Sequence, residues 1–437
     1  MSEPARTPFV EALAGAALPS SGIAWLDAAR RENLDAFAAA GLPDRRVEAW
    51  KYTPLRALAQ RAFQPGDAQA ATRAVATQAL ALPGGGPRMV FVNGVFRADL
   101  STLDALPAGL TLQPLSQALH EPAEPLRFAL SRHYRDAGDA FARLNAALAG
   151  DGVVLRVAAG AQVAEPVQLI FAGAPAGHDL AWHARNVIEL GEGATLSLVE
   201  HHLASGEQRD LGTLVSDVLL REGARLQFTL LQNAAEGSSL VRRSQLHLGA
   251  NAHASLHVLE LGGALVRHDL QAELTGDGAR LDTRGAFVLH GRQHVDTQLA
   301  IRHQARDTTS TSQWRGVADD RARGVFRGAI VVAPGADGSD ASLSTRNLLL
   351  SAQAEIDTKP ELEIHADEVK AAHGATVGQL DERALFYLRS RGVPLAQARG
   401  MLTVAFCRAV LDDMPHAGLR EQLSALLLEH LPNRDID

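Results

Sequence analysis

The sequence predicts a mainly β fold, a β-solenoid flanked by helical segments, on three observations. From Val153 to about Ile364, short runs of alternating apolar and polar residues are broken by Gly-Ala or Asp-Gly turns, without a convincing long helix. Within this region one short motif recurs at about the length of a solenoid coil. Helix signals lie before and after the region.

The recurring motif is Gly-Ala-x-Leu and its looser copies. The copies end at Val163, Leu196, Leu226, Leu256 and Leu281, at intervals of 33, 30, 30 and 25 residues. One coil cannot bury its own inner face, whereas stacked coils form a continuous core. A β-sandwich would turn every ~8–12 residues without the longer period. The solenoid is therefore favoured, with the helical segments as caps for its open ends or a second subunit paired with a strand edge.

Residues 1–150 are predicted to form an N-terminal helical region. The first ~85 residues have helical periodicity, for example at Leu34, Phe37 and Ala38. A linker signal follows, and then an apolar run around Asn93-Gly94 predicts a tight hairpin. A second helix is predicted to place Phe141, Leu144 and Leu148 on one face.

Residues 151–370 are predicted to be the solenoid, and residues 371–437 a helical C-terminal domain. Asp381 is a suitable N-cap for a helix that ends at Gly392. Pro394 suits the first turn of a second helix, and a leucine-rich third helix ends the chain.

Composition excludes several classes of protein. The net charge of −8 opposes a nucleic-acid partner. No apolar run approaches the ~20 residues of a membrane span, and the N-terminus has no signal-peptide pattern, so we expect a cytoplasmic protein. The single cysteine, Cys407, excludes an internal disulfide and fits a small half-buried hydrophobic position.

The sequence contains no Walker loop, dinucleotide fingerprint, GxSxG or HExxH, and no convincing nucleophile–base pair, so no catalytic residue is predicted. Two groups of histidines were weighed as metal ligands. His290, His294 and His303 are spaced too widely for one ion and are predicted to lie on a solvated strand face. The adjacent His201 and His202 should point to opposite faces of a strand.

His373 is the better candidate for a metal ligand. It is predicted to follow the last solenoid strand, and it precedes Gly374, where backbone can approach a partner. At an open solenoid end, near a subunit boundary, its imidazole could bind an ion held between two chains; the alternative is a histidine that only caps the turn. Two of the three lysines, Lys359 and Lys370, lie in the same stretch, which hints at a chemical role for lysine.

Several long motifs, in order, resemble one family. The stretch NLLLSAQAEIDTKPELEIHADEVKAAHGATVGQLDERALFYLRSRG, together with VEAWKYTPL, AFARLNAALAGDGVVLRV and RNVIELGEGATLSLVEHH, is similar to the SufB/SufD family of Fe–S cluster assembly proteins. The resemblance covers nearly the whole chain. The HGATVG phrase and the lack of SufB-type cysteines point to the SufD branch.

The resemblance implies a right-handed parallel β-helix and a scaffold subunit without catalysis. The implied partners are a SufB-like paralogue, paired through the β-helix, and a SufC-like ATPase. The implied ATPase-docking residues are Phe386, Tyr387, Leu388, Arg391 and Gly392. His373 would bind iron or an Fe–S cluster transiently at the subunit interface, and no cofactor would be bound tightly by this chain alone.

The sequence departs from the family pattern near the candidate ligand. Ala371 replaces a frequent cysteine, so His373 would act without that thiol, and His365 replaces a frequent aromatic residue and is interpreted as incidental. Two alternatives stay open: a secreted-type β-solenoid carbohydrate-active enzyme, and a homodimeric scaffold that works without SufB.

Overall fold

The structure, a computed structural model, describes residues 7–66, 82–120 and 139–431, and the single positions 72, 75, 80 and 130. The helices are α1 (Pro8–Ala14), α2 (Ala24–Ala40), α3 (Arg56–Ala59), α4 (Leu115–Ala118), α5 (Ala140–Leu148), α6 (Glu382–Ser390), α7 (Leu395–Arg408) and α8 (Ala417–His430). No helix in these residues is long and apolar enough to span a membrane.

Twenty strands are found in the described residues. They are β1 (Gln64–Pro65), β2 (Arg88–Val92), β3 (Val95–Phe96), β4 (Leu110–Pro114), β5 (Val153–Val157), β6 (Gln162–Gly173), β7 (Leu180–Leu190), β8 (Thr195–Ala204), β9 (Asp210–Leu220), β10 (Arg225–Asn233), β11 (Ser239–Leu248), β12 (His253–Glu260), β13 (Leu265–Leu274), β14 (Arg280–Leu289), β15 (His294–His303), β16 (Thr309–Ala318), β17 (Arg323–Val332), β18 (Asp340–Leu349), β19 (Glu355–Ile364) and β20 (Lys370–Gly378).

The predicted solenoid is confirmed by the strand pairing. From β5 onward each strand pairs in parallel with the strand two further along the chain, so odd and even strands form two separate sheets. Sheet A runs β19-β17-β15-β13-β11-β9-β7-β5-β4, and sheet B runs β20-β18-β16-β14-β12-β10-β8-β6-β2-β3. One coil is therefore one strand of each sheet. The space between the sheets, here called the lumen, holds the largest apolar core.

Each strand points alternate side chains into the lumen, which explains the period of two in the sequence. Leu196 pairs with Leu226, which pairs with Ala254 and through it with Leu281, so one apolar row crosses four coils. The repeat predicted at Leu256 is out of register by two residues, because Leu256 pairs with Phe228.

The turn before each even-numbered strand from β6 to β18 contains one residue with a left-handed backbone. The seven residues are Gly160, Gly193, Gly223, Asn251, Gly278, Asp307 and Gly338, with φ between 55° and 76°. The backbone N–H of each donates to a carbonyl in the corresponding turn of the next coil, at 2.7 to 3.0 Å. Glycine tolerates this conformation best, and Asn and Asp tolerate it better than most other residues. These seven turns are called the corner ladder.

The helices cover the sides of the solenoid, so the prediction that they cap its ends is wrong. Helices α1, α2 and α5 bury apolar residues against the outer face of sheet A, including Leu211, Val241 and Leu265. Helices α7 and α8 pack in the same way on sheet B, over Leu231 and Leu259. The first coil is instead flanked by β4, antiparallel to β5, and by the β2–β3 hairpin.

The predicted N-terminal elements are found in part. The hairpin has positive φ at both Asn93 and Gly94, as a tight primed turn requires. The apolar face predicted for α5 is confirmed by burial. The first ~85 residues are less helical than predicted, with only α1, α2, α3 and a 3-10 turn at Glu48–Trp50 in residues 7–66. Most of residues 67–81 lie outside the described residues.

Candidate functional site

The last coil of the solenoid is uncovered. In the described chain, β19 and β20 each pair with one strand only, so each has a free edge. Their lumenal side chains have no next coil to cover them, and Ile364 and Val377 are both 43% exposed. Free backbone edges together with exposed apolar side chains form a surface that favours pairing with another chain.

His373 lies on this surface. It pairs with Leu343 of β18, a lumenal core residue, so its Cα belongs to a lumenal row of the last coil. The sequence places His373 just after the last solenoid strand, but β20 is a further strand and His373 lies within it. Its side chain is exposed, and nothing lies within 4 Å of where a Cβ on Gly374 would be. A partner can therefore approach both residues closely.

A complete metal site does not exist within this surface. In the part of the chain that the structure describes, no group of three or more His, Cys, Asp or Glu side chains is placed to hold an ion. Ala371, on the same face of β20 two residues before His373, has no ligand atom. Further ligands at His373 would have to come from outside the described residues of this chain.

Cys407 is not available as a thiolate. It is fully buried among apolar residues of α7, α8 and sheet B. Burial raises the pKa of its thiol to about 12. The prediction of a small hydrophobic position is thus confirmed, and the residue is more deeply buried than expected.

Lys359 has an ion-pairing role. Its ammonium lies 2.6 Å from Glu48 and 2.9 Å from Glu361, so it connects the 3-10 turn at Glu48–Trp50 to the edge strand β19. Hydrogen bonds to the two carboxylates raise the pKa of Lys359 above its ordinary value. A lysine that stays protonated is a poor nucleophile, so this geometry gives no support to a chemical role.

Helix α6 carries the second exposed apolar patch. Asp381 caps its first turn, as predicted, by accepting a hydrogen bond from the Arg383 N–H. No residue of α6 is buried, and Phe386 is 74% and Tyr387 57% exposed. Leu388 is half-buried, whereas Arg391, stacked 5.2 Å from the Tyr387 ring centre, and Gly392 are exposed. Two adjacent aromatic side chains beside an arginine have the composition of an interface centre.

The segment after α6 is fastened to the solenoid. Arg399 of α7 donates to the Leu350 carbonyl at 3.1 Å. Between α7 and α8, Asp413 forms an ion pair with Arg284 of sheet B, and His416 Nε2 lies 2.9 Å from Ser197 Oγ. The exposed helix therefore projects from a firmly attached base.

The lumen holds a group of charged side chains that sequence reasoning missed. This lumenal charge network consists of Glu200, His202, Arg242, His268 and Glu260, and all five are at most 3% exposed. Arg242 donates to both Glu200 carboxylate oxygens, at 2.6 and 3.0 Å. It also contacts His268 Nε2 at 2.6 Å, and Thr297 donates to Glu260 at 2.7 Å.

The network fixes the protonation of its members. Burial would raise the pKa of Glu200, but Arg242 and His202 hold it well below its usual range. Burial and Arg242 depress the pKa of His268. Because Arg242 donates to His268 Nε2, the neutral ring carries its proton on Nδ1, which lies 3.7 Å from Glu260. Burial raises the pKa of Glu260 to about 7.

The prediction of a solvated histidine face is wrong. His303 is fully buried in the lumen, with Thr308 and Ser310 oxygens at 2.8 Å from its two ring nitrogens. His294 is largely buried near Thr53, and burial lowers its pKa to about 4. His201 and His202 do lie on opposite faces of β8, as predicted, but both are buried.

A side-covered solenoid with an open last coil, an exposed imidazole and an exposed aromatic helix defines a parallel β-solenoid protein with two exposed surfaces. Residues 173–406 match the family described as "SUF system FeS cluster assembly, SufBD core domain", and residues 14–169 match "SufBD protein N-terminal region". The chain belongs to this SufBD family of Fe–S cluster assembly proteins.

Individual relatives agree with the family assignment. The chain is 30% identical to "Iron-sulfur cluster assembly protein SufD" of Escherichia coli, with 92% of each chain covered. It is 29% identical to an "Iron-sulfur cluster assembly SufBD family protein" of Synechocystis, over 90% of this chain and 88% of the relative. The Bacillus subtilis SufD protein is 27% identical over 65% of each chain.

Proposed function

We propose that this chain is a non-catalytic scaffold subunit in a cytoplasmic complex that assembles Fe–S clusters. A SufB-like paralogue pairs with the open last coil, and a SufC-like ATPase docks on α6. The observation that carries the proposal is His373 on an edge strand, which has one free edge and lies beside exposed lumenal residues. Iron or a nascent cluster is the cargo, shared between His373 and ligands of the paralogue.

The open edge can also accept a second copy of this chain. A homodimer is therefore the alternative assembly for the isolated protein. Family membership favours Fe–S assembly over the carbohydrate-active alternative. Movement of the ATPase reaches the shared site through α6, because α6 follows β20 after three residues.

His373→Ala should leave the complex assembled and remove most of its iron. One exposed side chain on an edge strand contributes little to stability, whereas loss of one ligand opens a shared metal site. The measurement is the iron and acid-labile sulfide content of the complex purified after co-expression with SufB-like and SufC-like partners. His365→Ala, also exposed near the same end, is the matched control. Full iron content in the His373 variant would remove this residue from the site.

The double substitution Phe386→Ala, Tyr387→Ala should weaken ATPase docking by roughly 30-fold or more, since one aromatic residue at an interface centre already contributes about 2 kcal/mol or more. The measurement is the Kd for the SufC-like subunit by calorimetry. Leu428→Ala on α8 is the control, because Leu428 is 47% exposed but lies away from α6. Equal affinities for the double variant and the wild type would place docking elsewhere.

A further inference from the structure

Strand β20 has few fastenings of its own. It pairs with β18 alone, and eight of its nine residues are exposed. Positions where a Cβ on Gly374 or Gly378 would lie have no atom within 4 Å. The position of the strand that carries His373 thus depends on its backbone hydrogen bonds to β18 and on any side chain that contacts it from the β18 side.

Asn347 of β18 is such a side chain. It is 2% exposed in the lumen, and its Nδ2 donates to the Thr376 backbone carbonyl of β20 at 3.0 Å. A second contact to Thr345 Oγ1 at 3.2 Å orients the amide. Asn347 pairs with Val377, so the contact lies one residue pair before β20 ends.

The neighbouring coil leaves room for this amide. A Cβ on Gly316 would lie 2.3 Å from Asn347 Oδ1 and 2.3 Å from the Phe287 ring, so only glycine fits there without displacement. The residues around Asn347 therefore leave a space that fits its side chain. Ala341 and Leu343 give the same lumenal row of β18 an apolar first half, and Thr345 and Asn347 follow as its buried polar members.

The chemistry of the contact requires an amide. Asp would place an acceptor against the carbonyl acceptor of Thr376, and Leu would offer no donor. The accepting residue Thr376 lies three residues after His373 on the same strand, about 10 Å away at the usual rise per residue. On the other side, three residues separate β20 from α6.

We propose that Asn347 is a positioning residue, which fixes the end of β20 between the docking helix and His373. This inference rests on the proposed function. Fixing the strand at its exit makes β20 move together with β18 when α6 is displaced by its partner, so the motion reaches the shared site while His373 keeps its register with Leu343. Without the contact, movement of α6 would lift the strand end.

The first test is hydrogen exchange of the full-length protein. Asn347→Leu should speed exchange in residues 370–378 roughly tenfold, the effect of losing one buried hydrogen bond at a strand end. Asn347→Asp should do the same, which separates loss of the donor from the effect of one particular side chain. Asn186→Leu is the matched control, because Asn186 is a buried lumenal asparagine on β7 that donates to Ser216. Its β20 exchange should equal that of wild type. Unchanged β20 exchange in the Asn347 variants would overturn the proposal.

The second test is the iron content of the co-expressed complex. Asn347→Leu should lower iron at least half as far as His373→Ala does, whereas Asn186→Leu should keep it. Faster exchange with full iron, in a complex where His373→Ala loses iron, would overturn the positioning role. If His373→Ala also retains full iron, the ligand role of His373 in the proposed function fails, and the exchange result alone decides whether Asn347 fixes the strand.

Discussion

Arg242→Met should lower the free energy of unfolding by about 3–5 kcal/mol, because it leaves the Glu200 carboxylate buried without its partner. The Arg242 side chain is 1% exposed and that of Glu200 is completely buried, so water cannot replace the lost ion pair. The His268 ring loses a donor at the same time. The measurement is urea denaturation at neutral pH with linear extrapolation.

A surface pair provides the control for this experiment. Arg221 bonds to Glu189 at 2.8 Å, but its side chain is 54% exposed, so Arg221→Met should cost at most about 1 kcal/mol. The double variant Glu200→Leu, Arg242→Met should recover most of the lost stability, since it leaves no uncompensated charge. A single Arg242 variant as stable as wild type would contradict the role given to this pair.

Glu260→Gln should remove a pH dependence of stability that spans pH 4.5 to 7. Burial raises the pKa of Glu260 in the folded protein to about 7, above its ordinary value of 4.5. The folded protein therefore binds more protons than the unfolded chain in this window. The stabilisation from Glu260 is complete below pH 4.5 and is lost as the pH rises to 7, an effect on the order of 3 kcal/mol.

The measurement for Glu260 is the difference between wild-type and variant unfolding free energies from pH 5 to 8. A difference is needed because buried histidines such as His294 and His303, with pKa values lowered to about 4, change the stability in the opposite direction. If the difference in unfolding free energy for Glu260→Gln did not change with pH, the pKa of Glu260 in the folded protein would equal its ordinary value.

The solenoid could be predicted because two local signals agree. Alternation of apolar residues gave the strands, and the motif around Gly193 and Gly223 gave the coil length. The predicted repeat was lost where Asn251 and Asp307 replace glycine in their corner turns. The backbone conformation is what repeats, and glycine is only its commonest residue. A search for Gly, Asn or Asp at this period would have found the next copies.

The lumenal charge network could not be predicted in the same way. Glu200 and Arg242 are 42 residues apart and on different sheets, so their contact depends on the register of several coils. One feature of the sequence indicated the network: in β8, Glu200 and His202 continue the inward-facing row of Leu196 and Leu198. For the site, the sequence located His373 near the solenoid end but missed β20, because that strand lacks alternation and is mostly exposed.

Because of the corner ladder, the length of the solenoid can change only by whole coils. Each rung contacts only the next one, and each coil repeats the same turn and the same inward row. Removing or adding one whole coil would keep the backbone ladder of the remaining corners in register and move the open end by about 4.8 Å. The number of coils thus sets the distance between the open end and the helices on the sides of the solenoid.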